Sequence, residues 1–152
     1  MLSGRLVHVI EANSAAIIDQ VISQIRRDPE LTTVHKLPDA ELREWGRHIL
    51  ERLGDWLTAG SEQELAVRYE AVGHARFDEG IPLHEAVHGL FLLKDKMITF
   101  VLDQAAAKTF LQLYAEEELE HRVDRFFDIL VCHLVRGYEK ALRQSARAGA
   151  YA

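Results

Sequence analysis

Hydrophobic residues recur at helical spacing along almost the whole chain. Apolar positions three and four residues apart predict amphipathic helices, whereas the alternation of apolar and polar residues that is typical of strands is not sustained between any two turn signals. Start and stop signals divide the pattern into five helices. The chain is therefore predicted to be an all-α helical bundle with no sheet.

Proline and glycine mark the boundaries of the first two predicted helices. The first helix is predicted from about residue 2 to residue 27, because Asp28-Pro29 cannot continue it. A loop follows up to Leu37. The second helix is predicted to begin at Pro38 and to end before Gly60, and it carries two tryptophans on its apolar face. These tryptophans are interpreted as core residues.

The next two helices have equally clear starts. Ser61 and Glu64 fit a capping box, in which the hydroxyl and the carboxylate satisfy free amides at the start of a helix. This third helix is predicted to run to Gly80. Pro82 opens the fourth helix, which weakens near Gln104 and is followed by a short joint around residues 105 to 109.

The last predicted helix is unusually long, since no proline interrupts the chain between residue 110 and about residue 144. A helix of about 30 residues measures about 45 Å, which is more than a bundle of this size needs. Its end could project, pair with a second chain or continue into another domain. Residues 1–147 are predicted to form one domain, and residues 148–152 a flexible tail.

Composition and charge narrow the class of protein. The chain of 152 residues is 48% hydrophobic and carries a net charge of -6, which fits one globular domain. Without a basic patch we expect no nucleic-acid partner, and without a long apolar segment we expect no membrane span. Cys132 is the only cysteine, so no intrachain disulfide can form, and a cytoplasmic location is expected.

His84, Glu85 and His88 match the pattern HExxH, in which two histidines bind zinc and the glutamate acts as a base. The chain has 8 histidines, which makes a chance match easier, and no clear third ligand follows. Helical geometry also places Glu85 opposite the apolar face, towards water. We therefore expect no enzyme activity and no metal, and zinc at His84 and His88 stays an alternative.

Other histidines raise two further metal hypotheses. Glu118 and His121 repeat the spacing of a di-iron ligand pair, but they point away from the apolar stripe of the last helix. The di-iron interpretation is therefore rejected. His74 and His133 lie near apolar faces and could ligate a haem iron, although ordinary boundary histidines explain them better.

Lys94 falls in the middle of an apolar arc, where a charge is costly unless it is paired. Glu116 and Glu120 of the last helix are the expected partners. Such a pair could be a fixed salt bridge or the polar end of a ligand pocket, and we favour the salt bridge. These three residues are the candidate ligand-binding residues.

Four stretches of the chain, in this order and spacing, resemble one known family. They are Leu37-Pro38-Asp39-Ala40-Glu41-Leu42, Glu79-Gly80-Ile81-Pro82-Leu83-His84-Glu85-Ala86-Val87, Arg125-Phe126-Phe127-Asp128 and Arg136-Gly137-Tyr138-Glu139. Over about residues 5 to 145 the chain is similar to the RsbRD N-terminal domain family, named after the RsbT co-antagonist proteins. The resemblance implies a globin-like sensory domain without haem, which is dimeric and located in stress-response regulators or histidine kinases.

Together these observations lead to one hypothesis and one rival. The chain is predicted to be a signal-input domain that homodimerises and relays a signal through its last helix to an output domain or regulatory protein, in a STAS-type or histidine-kinase context by family resemblance. The rival is a metal- or haem-binding helical protein that uses His84 and His88, or His74 and His133. The family resemblance assigns no catalytic residue.

Overall fold

A computed structural model describes residues 2–103 and 110–150 of the chain. In these residues it contains six α-helices, one short 3₁₀ helix and no strand, which confirms the all-α prediction. The helices are α1 (Leu2–Ala12), α2 (Ser14–Arg27), α3 (Asp39–Ala59), α4 (Glu62–Asp78), α5 (Leu83–Asp103) and α6 (Phe110–Ala150), and the 3₁₀ helix is Val34–Lys36. The joint predicted around residues 105 to 109 lies outside the described residues.

The single first helix predicted from the sequence is two helices, because the chain breaks at Asn13. The backbone of Asn13 has φ -115° and ψ 16°, and its side-chain amide donates a hydrogen bond to the carbonyl oxygen of Val9 at 2.7 Å. Asparagine competes with helical hydrogen bonding in this way. Ile10 before the break and Ile17 after it are both buried. Because apolar residues continue at helical spacing across Asn13, the sequence pattern did not reveal the break.

The other helix starts agree with the sequence signals. Pro38 is the extended residue before α3, and the hydroxyl of Ser61 accepts a hydrogen bond from the Glu64 amide at 3.3 Å at the start of α4. Only the hydroxyl half of the predicted capping box is confirmed, because the Glu64 carboxylate contacts Arg68 at 3.3 Å. Between α4 and α5, Gly80 has φ 73°, a conformation that glycine adopts without strain.

The apolar faces of the helices meet in one core. On α6 the predicted stripe is buried: Leu119, Val123, Phe126, Phe127, Leu130, Leu134 and Ala141. Phe126 packs edge-on against Phe127 with ring centroids 5.3 Å apart, and each fully buried side chain of this size contributes about 1.5–3 kcal/mol. Among the described residues no helix is both long and apolar enough to cross a membrane.

Helices α4 and α6 touch backbone to backbone at two glycines. An ideal Cβ placed on Gly73 lies 1.9 Å from the carbonyl oxygen of Leu134, and one placed on Gly137 lies 1.9 Å from that of Glu70. No side chain fits at either position unless the helices move apart. The hydrogen atoms of these two residues therefore set the closest approach of the two helices.

Two ion pairs also join α4 to α6. Arg125 donates to both carboxylate oxygens of Glu62, at 3.1 and 3.0 Å, and Lys140 donates to Glu70. The hydrogen bond from Arg125 lowers the pKa of Glu62, and the hydrogen bond from Lys140 lowers the pKa of Glu70. Both carboxylates are therefore held in the charged form by the fold.

Helix α6 is longer than its packed part. Its 41 residues measure about 60 Å, but Ala141 is its last buried residue, and residues 142–149 are all exposed. The sequence placed residues 148–152 in a tail, whereas the helix includes residues 148–150 and the last two residues lie outside the described part. About two turns of α6 therefore extend beyond the core.

Replacing Gly137 with alanine should destabilise the protein by about 3 kcal/mol, since the added methyl group meets the Glu70 carbonyl and forces the helices apart. Urea denaturation followed by circular dichroism measures this loss. The matched control is Gly149→Ala on the same helix, where an added Cβ meets nothing within 4 Å. Equal stability of the two variants would contradict a tight α4–α6 contact.

The ion pairs predict a pH dependence. Because the folded pKa of Glu62 and of Glu70 lies below the unfolded value, their stabilisation is present above about pH 4.3 and is lost as the pH falls through the folded values. The double variant Glu62→Gln, Glu70→Gln should therefore lose less stability than the parent between about pH 6 and about pH 3. The control pair Glu117→Gln, Glu118→Gln removes equal charge from exposed positions of α6. Identical pH profiles for both double variants would refute the assignment.

Candidate functional site

A cavity of about 450 Å³ lies where the 3₁₀ helix, the start of α3 and the α4–α5 junction meet. Its walls are mostly apolar, and one residue of α6 also borders it. Its apolar lining residues include Ile25, Leu42, Trp45, Ile81, Ala86 and Leu134. The polar lining residues include Thr33, Glu41, Arg76, Glu79 and Glu85. An apolar cavity with few polar groups is the usual form of a small-molecule site.

Glu85 is the most unusual residue of this cavity, because its side chain is 0% exposed. Its Oε1 atom accepts hydrogen bonds from the backbone amides of Thr33 at 2.8 Å and Val34 at 3.1 Å. Its Oε2 atom is buried and has no hydrogen-bond partner among the described residues. The carboxylate therefore joins α5 to the start of the 3₁₀ helix and leaves one oxygen unsatisfied.

The prediction that Glu85 faces water is wrong. Helical periodicity identified the face of α5 that packs on the core, but the loop between α2 and α3 covers the opposite face as well. Leu31 of this loop is 0% exposed, and Val34 is also buried. A helix that is covered on two sides buries residues that a single apolar stripe assigns to solvent.

Arg26 holds the loop in place above the cavity. Its guanidinium donates hydrogen bonds to the carbonyl oxygens of His35 and Leu37, the latter at 2.6 Å. The same group pairs with Asp39 at the start of α3, and this pairing lowers the pKa of Asp39. The loop, defined here as the roof of the cavity (residues 28–37), is thus fastened by Arg26 on one side and by Glu85 on the other.

The remaining walls combine an indole with an ion pair. The ring of Trp45 lies against Gly89 of α5, where an ideal Cβ would be 3.5 Å from the indole. Arg76 and Glu79, at the end of α4, form two contacts of 3.1 Å. Trp45 was expected to be a core residue, and it is partly buried against the core while also bordering the cavity.

The cavity is connected directly to α6. Leu134 of α6 borders it, and the hydroxyl of Tyr138, one turn further on, donates a hydrogen bond to the carbonyl oxygen of Ile81 at 2.9 Å. Tyr138 also packs edge-on against Phe77 with ring centroids 5.4 Å apart. A hydrogen bond and a ring contact therefore join the α4–α5 junction and the end of α4 to the long helix.

The histidines and the glutamate of the HExxH pattern have different surroundings. His84 is exposed, and Nε2 of His88 lies 3.5 Å from Oδ2 of Asp28, whereas the carboxylate of Glu85 is turned towards the roof amides. Within the described part of the chain no group of three or more potential metal ligands comes together. The motif therefore contributes Glu85 to the cavity and leaves its two histidines outside.

The two candidate haem ligands occupy different surroundings. His74 is half exposed, and it contacts Asp78 at 3.2 Å and Gln144 at 3.4 Å. His133 is partly buried on α6, and its Nδ1 atom has no hydrogen-bond partner among the described residues. Neither histidine borders the cavity described above.

Lys94 has a different partner from those expected. Its ammonium lies 3.3 Å from Asp124 and 5.9 Å from the centre of the Phe91 ring. Glu120, expected on the inner side of α6, is exposed, and the side chain of Glu116 lies outside the described residues. The structure thus makes Lys94 part of a partly exposed salt bridge away from the cavity.

Two further expectations about α6 agree with the structure. Glu118 and His121 are exposed, so they point away from the core as the apolar stripe predicted. Cys132 is exposed as well. The residues around the cavity, in contrast, were not recognised as a site from their individual patterns.

Residues 15–150 match the family described as the RsbT co-antagonist protein rsbRD N-terminal domain. The chain belongs to this family. Membership makes it a sensory or regulatory domain. Searches of curated proteins and of solved structures return no significant match.

Two of the four stretches that carry the family resemblance line the cavity of this RsbRD N-terminal domain, and a third contacts its lining. The stretch 37–42 and the stretch 79–87 both line it, and the stretch 136–139 contributes Tyr138, which bonds to the α4–α5 junction. The fourth stretch, 125–128, supplies Arg125 to an α4–α6 ion pair. The sequence signal for the site therefore lay in these stretches and their order, not in a catalytic pattern.

Glu85→Ala should destabilise the domain by about 3 kcal/mol, because the amides of Thr33 and Val34 lose their acceptor while they stay buried. Glu85→Gln should cost much less, since its amide oxygen can still accept both hydrogen bonds. Urea denaturation compares the two variants, with Glu118→Ala as an exposed control. A Glu85→Ala variant as stable as the control would show that the carboxylate does not hold the roof.

Proposed function

We propose that this domain is a signal-input module that forms a homodimer and relays a signal through α6 to an output domain or a regulatory protein. Family membership supports the sensory class. The relay is supported by α6, which borders the cavity at Leu134, bonds to its junction through Tyr138 and extends beyond the core. One rigid element thus connects a ligand-sized cavity with an exposed helical surface.

Relay through α6 requires only small movements. Shifts of about 1–2 Å between packed helices are sufficient to transmit a signal across an interface. The tight glycine contact between α4 and α6 resists a change in helix separation, which favours sliding or rotation of α6 as a unit. Such a movement would be read by a partner that contacts residues 142–149.

The expected partners follow the family context. A STAS-type domain or a histidine kinase would receive the signal, and a second copy of the chain would pair through the terminal helices α1 and α6. Leu142 supports the second part, since it is a large apolar side chain on the extended end of α6 and is 52% exposed. Burying it against a second α6 would remove apolar surface from water.

We propose no catalytic activity, no cofactor and a cytoplasmic location. The glutamate of the HExxH pattern, the residue that a metallohydrolase would use as its base, accepts two backbone hydrogen bonds on Oε1. These two hydrogen bonds give Oε1 a structural role, which competes with a role as a catalytic base. This arrangement supports a binding module over a hydrolase.

If the dimer forms through α6, Leu142→Glu should weaken it by at least about tenfold, since a charge would replace an apolar contact at the interface. Multi-angle light scattering at tens of micromolar protein measures the subunit number. The matched control is Val67→Glu on α4, where a large apolar residue is also exposed, at 66%.

Two outcomes would contradict this proposal. A parent protein that is monomeric at these concentrations would refute the dimer. A dimer weakened equally by Val67→Glu and Leu142→Glu would move the interface away from α6. Native mass spectrometry with elemental analysis on the same sample tests the rival class, because one tight zinc, iron or haem per chain would favour a metal- or haem-dependent protein.

A further inference from the structure

The unsatisfied oxygen of Glu85 requires an explanation. Buried polar atoms in folded proteins nearly always have a hydrogen-bond partner, yet Oε2 of Glu85 has none among the described residues. The other oxygen is accounted for by the amides of Thr33 and Val34. A donor that is not part of the described chain would complete the coordination of this carboxylate.

The size and lining of the cavity indicate a small organic occupant. Its volume of about 450 Å³ falls within the range of small-molecule sites, about 300–1,000 Å³. Leu42, Ile81 and Leu134 provide aliphatic surface, and Trp45 provides an aromatic face. A molecule that fills this space needs an apolar body to replace the water it displaces.

The charged residues of the lining favour a positively charged ligand. Glu41, Glu79 and Glu85 face a single cation, Arg76, among the lining residues. Arg76 is engaged by both carboxylate oxygens of Glu79 at 3.1 Å, which leaves two carboxylates without a balancing charge in the lining. This field attracts a cation and repels an anion, and an indole face adds a favourable cation–π contact.

We propose that the cavity binds a small organic amine with an aromatic or branched apolar body. Its ammonium donates to Oε2 of Glu85, and its body packs against Trp45. This inference rests on the proposed sensory function, because it names the class of molecule that the input site takes.

Binding at Glu85 is coupled to the position of the roof. Since the side chain is 0% exposed, an ammonium contacts Oε2 only when residues 28–37 shift slightly. The same carboxylate holds the amides of Thr33 and Val34, so the roof and the ligand share one anchor. The amides of these two residues therefore report on occupancy of the site.

The test is an NMR titration of the intact domain with phenethylamine, followed at the amides of Thr33 and Val34. Phenethyl alcohol and phenylacetate are the neutral and anionic comparisons of similar shape. We expect saturable shifts with the amine, binding at least about tenfold tighter than that of the alcohol, and no binding of the acid. Absence of saturable shifts with the amine overturns the proposal, and an ordered water on Oε2 would give that result.

Two variants locate the site. Glu85→Gln keeps the acceptor for the roof amides but replaces Oε2 with a donor, so the preference for the amine should disappear. Ala86→Leu fills part of the cavity and leaves the carboxylate unchanged. This variant should bind the amine at least about tenfold more weakly. Glu118→Gln, on the exposed side of α6, should bind like the parent. Unchanged amine binding by a folded Glu85→Gln variant would refute the role of Glu85.

A fluorine label on Cys132, an exposed residue of α6, separates this inference from the relay. Saturable amine shifts without a response of the label would support the cavity and contradict the relay through α6. Saturable shifts in a monomeric protein would support the cavity and contradict the dimer. A dimer that binds none of the three probes would overturn the cavity inference alone.

Discussion

The contact between α4 and α6 at Gly73 and Gly137 is the constraint on which the rest of the structure depends. At these two positions the backbones lie closer together than a side chain would allow. Any residue larger than glycine would force the helices apart. The contact sets the position of the end of α4 relative to α6. Because the α4–α5 junction follows directly, it also determines where Ile81 meets Tyr138 and where the cavity opens. The two ion pairs between α4 and α6 add further contacts between the same helices.

The buried carboxylate of Glu85 holds the roof of the cavity (residues 28–37) against α5. An isolated buried carboxylate is costly, and two backbone amides offset only part of that cost. Replacing it with alanine would remove that cost, but it would leave the amides of Thr33 and Val34 without an acceptor and release the roof, so the side chain stabilises the folded domain on balance. Its second oxygen takes no part in this stabilisation. A buried polar atom without a partner is rare in folded proteins, and this makes Glu85 a candidate functional residue.

The roof, the α4–α5 junction and α6 connect the cavity with the exposed end of α6. The roof is held by Arg26 and Glu85, the junction by Tyr138, and both Tyr138 and Leu134 belong to α6. The last turns of this helix extend beyond the core. The proposed relay rests on this geometry, in which one helix contacts both the cavity and the exposed surface.

The sequence by itself determined the helical class, most helix boundaries and the buried stripe of α6, because caps, prolines and apolar periodicity act over a few residues. It also carried the family resemblance, through stretches whose local patterns repeat in order. The break at Asn13 has a local cause, a side-chain hydrogen bond to the Val9 carbonyl that apolar periodicity does not register. The burial of Glu85, the pairing of Lys94 with Asp124 and the cavity itself were decided only by the tertiary structure. Each of these three depends on which distant segment covers a given helix face, and periodicity along one helix contains no information about a loop that packs on its other side.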